Sequence, residues 1–271
     1  MNFSQTFIDH GYVELCIPAA EDNKFAMEVN YLHIWPRDEF MMIALPNQDK
    51  SFTVTLFMPF ASFDAIRTED QLIHFFELHF PDSIDLIGKQ RLIQDYFGTK
   101  AASLVSIKCS PIHLQGKALL IGDAAHAMVP FYGQGMNCGF EDCLILDDLM
   151  SLFPGDVETV FREFEGRRNP DHHVICDLAM YNYIEMRHLV NSGSFLLRRR
   201  IDLFLSRILP RSWIPLYQMV TFTRIPYSLC LRKKQQQDRF LTRVSIVAAT
   251  LITIAAPFLL YNSIKRRFLH S

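Results

Sequence analysis

The stretch that most limits what this chain can fold into is a short apolar run, Ala118 to Ile121, which opens into a glycine-containing loop and then a helical pattern. The run predicts a buried strand. The loop carries Gly122, Gly133 and Gly135, and Phe140, Leu144, Ile145 and Leu149 recur behind it at helical spacing. A carboxylate at the carboxyl end of a strand can accept hydrogen bonds from sugar-like hydroxyls, which assigns a binding role to Asp123. Gly133 and Gly135 permit positive φ and close backbone approach, and the unpaired amides opening the next helix add donors at a positive dipole end. Such a loop suits an electron-rich ring or an anion. Each signal alone is weak: an Asp after a strand is more often a cap or turn residue, and Gly133-x-Gly135-x-x-x-Gly139 is longer than the dinucleotide fingerprint.

Ahead of this stretch the pattern is short apolar or β-branched runs between polar breaks. Tyr12 to Ile17, Phe25 to Val29, Leu32 to Trp35, Phe40 to Leu45 and Phe52 to Phe57 read as strands of an antiparallel meander, because the connections are too short for βαβ crossovers. Thr68 with Gln71 forms a capping-box pattern before a helix that Pro81 stops. Phe75, Phe76, Phe80, Phe161 and Phe164 read as core. From Asp156 onward the spacing is helical, punctuated by Pro170, Pro210, Pro215 and Pro226. The class is α+β, divided into a sheet region over residues 1–115, a strand-loop-helix over 116–150, a helical region over 151–231 and a basic-flanked tail over 232–271.

Charge is distributed unevenly along the 271 residues. Residues 1–186 carry 12 Lys and Arg against 27 Asp and Glu, a net −15, whereas residues 187–271 carry 15 against 2, a net +13. The apolar residues between the rear charges favour a lipid bilayer over nucleic acid as the partner. Val244 to Tyr261 is an uncharged run of 18 residues, flanked by Arg239 and Arg243 and by Lys265, Arg266 and Arg267. At about 1.5 Å per residue it just crosses a hydrocarbon core of ~30 Å, which predicts a transmembrane anchor. Trp213 to Tyr227, broken by Pro215, Arg224 and Pro226, reads as an interfacial helix. The six cysteines form no C-x-x-C pair, so neither a zinc ribbon nor a disulfide scaffold is indicated, and the opening residues lack the features of a secretory signal.

The whole string is more specific than its parts. Gly122-Asp123-Ala124-Ala125-His126, three residues, Pro130, two residues, then Gly133-Gln134-Gly135-Met136-Asn137 resembles the second FAD motif of the flavin-dependent aromatic hydroxylases. These are the p-hydroxybenzoate hydroxylase-like monooxygenases. Tyr31 to Arg37, Phe40 to Asn47, Phe140 to Cys143, Met180 to Arg187 and Met219 to Ile225 are similar to the kynurenine 3-monooxygenase branch of that family. The resemblance implies FAD as cofactor, NADPH as co-substrate and hydroxylation of L-kynurenine at carbon 3, at the mitochondrial outer membrane with the main body facing the cytosol. It places Asp123, Gly133, Gln134, Gly135, Met136 and Asn137 at the flavin. Asn182 and Tyr217 would hold the amino-acid end of kynurenine, with Ile43, Leu45, Phe57, Pro130 and Phe131 lining the pocket around its ring. No catalytic acid or base and no metal is implied.

The chain departs from the family pattern in carrying neither the G-x-G-x-x-G unit that holds the FAD diphosphate nor the later Asp-Gly motif. The fold implied is therefore an incomplete hydroxylase fold with C-terminal helices and the anchor, and this polypeptide alone is expected to bind FAD poorly. Two other readings stay open: another flavin hydroxylase, without the amino-acid clamp, or a membrane-anchored module with no activity. His172 and His173, being adjacent, read as solvated rather than as ligands, Asp147 and Asp148 as solvated charges, and His126 as a loop-stabilising hydrogen bond.

Overall fold

The computed structural model describes residues 2–268, with side chains described through Leu251 and again at Thr253 and Ile254. The chain divides into two compact units, residues 1–201 and 202–271.

The first unit is built on a five-stranded antiparallel sheet in the order β2-β3-β4-β1-β5. Its strands are β1 (Asn2–Ile17), β2 (His33–Arg37), β3 (Phe40–Pro46), β4 (Phe52–Pro59) and β5 (Ala102–Ser110). Between β4 and β5 lie α1 (Phe60–Ala65), α2 (Glu69–His79), α3 (Pro81–Ile87) and α4 (Lys89–Gly98). Alternation along the strands sends Val13, Leu15, Ile17, Met42, Ala44, Phe52, Val54, Leu56 and Met58 to one face, where they form a core with Leu72, Phe76, Phe80 and Leu92. Thr68 and Gln71 make the expected reciprocal capping box on α2, and α3 starts at Pro81 as α2 stops. The run Phe25–Val29 is no strand: Phe25, Ala26 and Met27 pack half-buried on the sheet core with no ladder partner, so packing rather than pairing accounts for their apolar character.

After β5 the chain forms a two-stranded hairpin, β6 (His113–Leu114) with β7 (Ala118–Leu119). The expected buried strand over Ala118 to Ile121 is thus only two residues of edge-like pairing with Ala118 exposed. Its apolar side chains are used in packing, for Leu119, Leu120 and Ile121 rest on a second core of Leu149, Val160 and Phe164. Next come α5 (Asp123–His126), α6 (Gly135–Leu152) and α7 (Val157–Arg187). Pro170 does not interrupt α7, a continuous helix of 31 residues. The buried side chains on both sides of it, Arg168, Asn169, Asp171 and His172, are anchored in polar contacts that hold the helix through the lost backbone bond. α8 (Gly193–Ile208) leads across into the second unit.

The second unit continues with α9 (Leu216–Phe222) and α10 (Tyr227–Phe268). Pro210, Pro215 and Pro226 fall at helix boundaries as expected, and Trp213 is buried with its indole Nε1 donating to Asp202 Oδ1 at 3.0 Å. Among the described residues no helix is long and apolar enough to cross a membrane, so the expected transmembrane anchor has no support there. The part of the uncharged run with described side chains is Val244 to Leu251 with Thr253 and Ile254, too short to span at about 1.5 Å per residue. Ile252 and residues 255–261 of that run lie outside the described side chains.

Candidate functional site

The glycine loop is shaped by two left-handed residues. Gly122, just before α5, has φ 58° and Gly133 has φ 65°, conformations that disfavour any residue with a Cβ. Gly135, where α6 opens, is not in that region; its use is openness, since a Cβ at Gly122, Gly133 or Gly135 would meet no heavy atom within 4 Å. Asp123 is exposed in the first turn of α5, Asn137 is exposed in the first turn of α6, and Met136 is 71% exposed beside it. The first amides of α6 have no partner within their helix. Carboxylate, open glycine backbone and helix start are thus each exposed on the surface of the loop.

Beneath this surface lies a buried polar network that the sequence reading did not assemble. Asp142, on the inner face of α6, accepts at Oδ2 from His126 Nε2 (2.7 Å) and the Gly122 amide (3.1 Å). At Oδ1 it accepts from His172 Nε2 (2.8 Å) and Arg168 Nε (2.7 Å). Arg168 also donates from Nη1 to Glu141 (2.9 Å) and from Nη2 to the Cys138 sulfur (3.3 Å). His172 is thus fully buried, not solvated, whereas His126 makes the loop-stabilising bond expected of it.

His126, Cys138, Asp142 and His172 are residue types that bind zinc, with ligand atoms within 4.8 Å of one another. Two ligands of one tetrahedral zinc, at bonds of about 2.1 Å, stand about 3.4 Å apart. The His–Asp separations of 2.7 and 2.8 Å are shorter and fit hydrogen bonds. Both imidazoles accordingly carry their proton on Nε2, and their buried Nδ1 atoms, which have no partner among the described residues, present lone pairs.

Burial works against ionisation of Asp142, but the donated bonds of His126 and His172 and the Arg168 charge outweigh it and hold the carboxyl well below the usual carboxylate range. Burial pushes His172 below its ordinary 6.5, with the charges of His126 and Arg168 acting the same way. As pH falls below 6.5 the unfolded chain takes up a proton that folded His172 resists, so the native state loses stability; Asp142 adds a second loss below 3.8. The urea midpoint should fall between about pH 7 and pH 5. His172→Gln, which keeps a donor for Asp142 but does not titrate, should reduce that slope, and an unchanged slope would contradict this account.

The turn Pro130–Tyr132 joins this network to an aromatic wall. The Phe131 ring stacks on Tyr183 of α7 (centroids 4.0 Å, 14°) and meets Phe57 of β4 edge-on at 4.8 Å. Asn182 Nδ2 donates to the Phe131 carbonyl at 2.8 Å, and the Arg187 guanidinium lies 5.1 Å over the Tyr183 ring. The β2–β3 turn is tied to the same end of α7, because Arg187 Nη1 donates to the Asp38 carbonyl at 2.7 Å and Asn191 to its carboxylate at 3.0 Å. Phe57 is opposite Met41 in the ladder, and Ile43 and Leu45 follow on that same face, away from the helix-covered core.

The structure thus brings Phe57, Phe131 and Asn182 together, sets Pro130 exposed at the rim, and puts Ile43 half-buried and Leu45 exposed along the adjoining sheet face. Gln134, unlike its neighbours, is buried at the start of α6. Tyr217 lies on α9 in the second unit and is 51% exposed. Asp142, Arg168, His172 and Tyr183 were given no site role by sequence. Their signal was positional: Asp142 sits four residues after buried Cys138, and Arg168, His172 and Tyr183 follow the inward stripe of Val160, Phe164, Ile175 and Ala179.

A profile of the FAD binding domain family matches residues 23–152. The kynurenine 3-monooxygenase of Anopheles gambiae is 56% identical over 255 residues, which is 94% of this chain and 52% of that protein. That of Sus scrofa is 50% identical over 259 residues, 96% of this chain and 55% of the relative. Over nearly its whole length this chain is similar to kynurenine 3-monooxygenases. It spans about half the length of the curated relatives it matches. Solved structures agree on the fold at low identity. A Klebsiella pneumoniae HpxO variant complexed with FAD superposes at TM-score 0.56 with 16% identity, over 77% of this chain and 56% of that one. The tetrameric form of 2-methyl-3-hydroxypyridine-5-carboxylic acid oxygenase gives 0.53 with 21% identity, over 72% and 53%. The α+β hydroxylase-like fold is therefore that of FAD-dependent oxygenases.

Proposed function

We propose that this chain forms the ring-binding sheet face and the flavin-facing loop of an enzyme that converts L-kynurenine to 3-hydroxykynurenine with FAD and NADPH. The observation that carries the reading is the short link between two surfaces: the Phe57–Phe131–Tyr183 wall with Asn182 bonded to it, and the open glycine loop beginning at Gly133. An aromatic substrate and a flavin need such adjacent sites. FAD, reduced by NADPH, supplies the O2-activating chemistry when bound.

The residues fit that cofactor. Asp123 is exposed to accept from ribityl hydroxyls, and the open backbone at Gly133 and Gly135 leaves room for a ring to approach the first amides of α6. Those amides, those of Met136 and Asn137 among them, stabilise negative charge beside them. The buried rings of Phe57 and Phe131 exclude water from one side of the substrate. Asn182 spends Nδ2 on Phe131, which leaves Oδ1 to accept from the substrate's amino group, and Ile43, Leu45 and Pro130 complete the pocket under this reading. The second unit, with its share of the basic rear segment and the uncharged run over 244–261, would hold the chain on the mitochondrial outer membrane with the sheet region facing the cytosol.

A chimera tests the catalytic reading: the matching half of the Anopheles gambiae relative is replaced by these residues. It should retain FAD and form 3-hydroxykynurenine with NADPH. Asn182→Ala in that chimera should raise KM for kynurenine about tenfold or more, the loss of one charge-assisted bond. A chimera that folds and retains FAD but makes no 3-hydroxykynurenine would remove kynurenine as the substrate.

A further inference from the structure

Within the second unit, residues 211–214 ahead of α9, Met219 of α9 and one face of α10 line a half-open recess of about 270 Å³ that no part of the hydroxylase reading uses. Arg211 and Lys233 stand on its lining with Gln236, Gln237, Trp213 and Phe240. The only acids of the basic rear segment are engaged elsewhere, since Asp202 accepts from the Trp213 indole and Asp238 pairs with Lys234. Among the described residues Arg211 and Lys233 have no ion-pair or hydrogen-bond partner. Gln237 is buried and donates to the Ile214 carbonyl at 3.1 Å, which fixes the α10 wall against the loop bearing Arg211. Two unpaired cations on a fixed, partly apolar recess form a receptor for a phosphate group.

What distinguishes a lipid phosphate from a free one is the surface leading away from the recess. Lys233, Gln236, Gln237 and Phe240 share one face of α10 by their spacing of three and four residues. The same stripe continues through Val244, Val247, Leu251 and Ile254, exposed at 47%, 57%, 61% and 68%. A cationic recess thus runs directly into an uncovered apolar ridge, the order of parts in a phospholipid. We propose that the recess between the 211–214 segment and α10 binds the phosphate of an anionic phospholipid through Arg211 and Lys233, with the acyl chains along the Phe240–Ile254 ridge. This deepens the membrane reading of the second unit by naming the lipid chemistry and rests on it for its setting, though the recess itself can be tested without a bilayer.

The full chain is partitioned onto phosphatidylcholine vesicles with and without phosphatidic acid. Arg211→Gln/Lys233→Gln should lower the affinity gained from phosphatidic acid about tenfold more than Arg199→Gln/Arg200→Gln, a pair on α8 that removes the same charge and reports the general surface attraction. Equal losses in the two pairs would overturn the proposal. Water-soluble dibutyryl phosphatidic acid should raise the thermal midpoint of the unaltered chain, a readout that survives if the double variant fails to fold. No rise, or an equal rise with inorganic phosphate, would overturn the lipid assignment. Binding to pure phosphatidylcholine reports the membrane reading separately: if it is absent while the short-chain lipid still binds, the anchor fails and the pocket stands.

Discussion

Asp142→Ala should cost the first unit about 3–5 kcal/mol, a large part of the total stability of an ordinary domain. The carboxylate is fully buried and is the common acceptor for the Gly122 amide, two imidazoles and a guanidinium. Removing it leaves the Arg168 charge, itself 1% exposed, with Glu141 and, at 3.6 Å, Asp171 as its carboxylate partners among the described residues. It also strands two Nε2 donors whose Nδ1 partners are already unpaired. The cost of an uncompensated buried charge exceeds the gain that pairing gave, so deletion of one partner is worse than the pair's net contribution suggests. Asp142→Asn keeps one oxygen but turns an N–H toward a surrounding donor, and should fall between wild type and Asp142→Ala. Urea unfolding followed by circular dichroism measures both; a midpoint for Asp142→Ala equal to wild type would mean the network does not hold the loop. Because Gly122 and His126 are the loop's own residues, a folded variant should also bind the flavin less firmly in the chimera.

Much of this arrangement could be read from the chain because local chemistry set it. β3 and β4 follow from alternation, the start of α2 from Thr68 and Gln71, and the start of α6 from glycines that no other residue replaces at little cost. What escaped was set by distant partners. The first half of β1 is exposed, Phe3 and Phe7 included, and does not read as a strand from sequence because its order comes from pairing with β5, with a register shift between Phe7 and Gly11. Phe25–Val29 has strand composition but no neighbour to bond. Arg168 and Asp142 are 26 residues apart on different helices, so no spacing rule joins them. The only trace was a charged residue standing where an apolar one was due. For His172 the adjacent His173 obscured it, although one helix turns successive residues about 100° apart and so can bury one and leave its neighbour at the edge.

Tyr183 separates packing from binding in the aromatic wall. Its ring contacts Phe131, Phe57 and His10, with centroids at 4.0, 6.4 and 5.4 Å, so Tyr183→Ala should cost about 3–5 kcal/mol as a large buried ring is lost. Its hydroxyl is buried with no hydrogen-bond partner among the described residues, and burial raises its pKa, so it is a neutral donor already desolvated without compensation. Tyr183→Phe should therefore leave the urea midpoint unchanged or raise it, by up to about 1 kcal/mol. Nothing in the packing of the described residues selects Tyr over Phe here, and the hydroxyl stands one residue from Asn182, next to the proposed amino-acid end of the substrate. If that hydroxyl is spent on the ligand, Tyr183→Phe in the chimera gains stability yet raises KM for kynurenine several-fold, since a site built around a polar partner discriminates by leaving it unpaired. Higher stability with unchanged KM would place the hydroxyl outside the binding site, and lower stability would show that it has a partner in the folded chain.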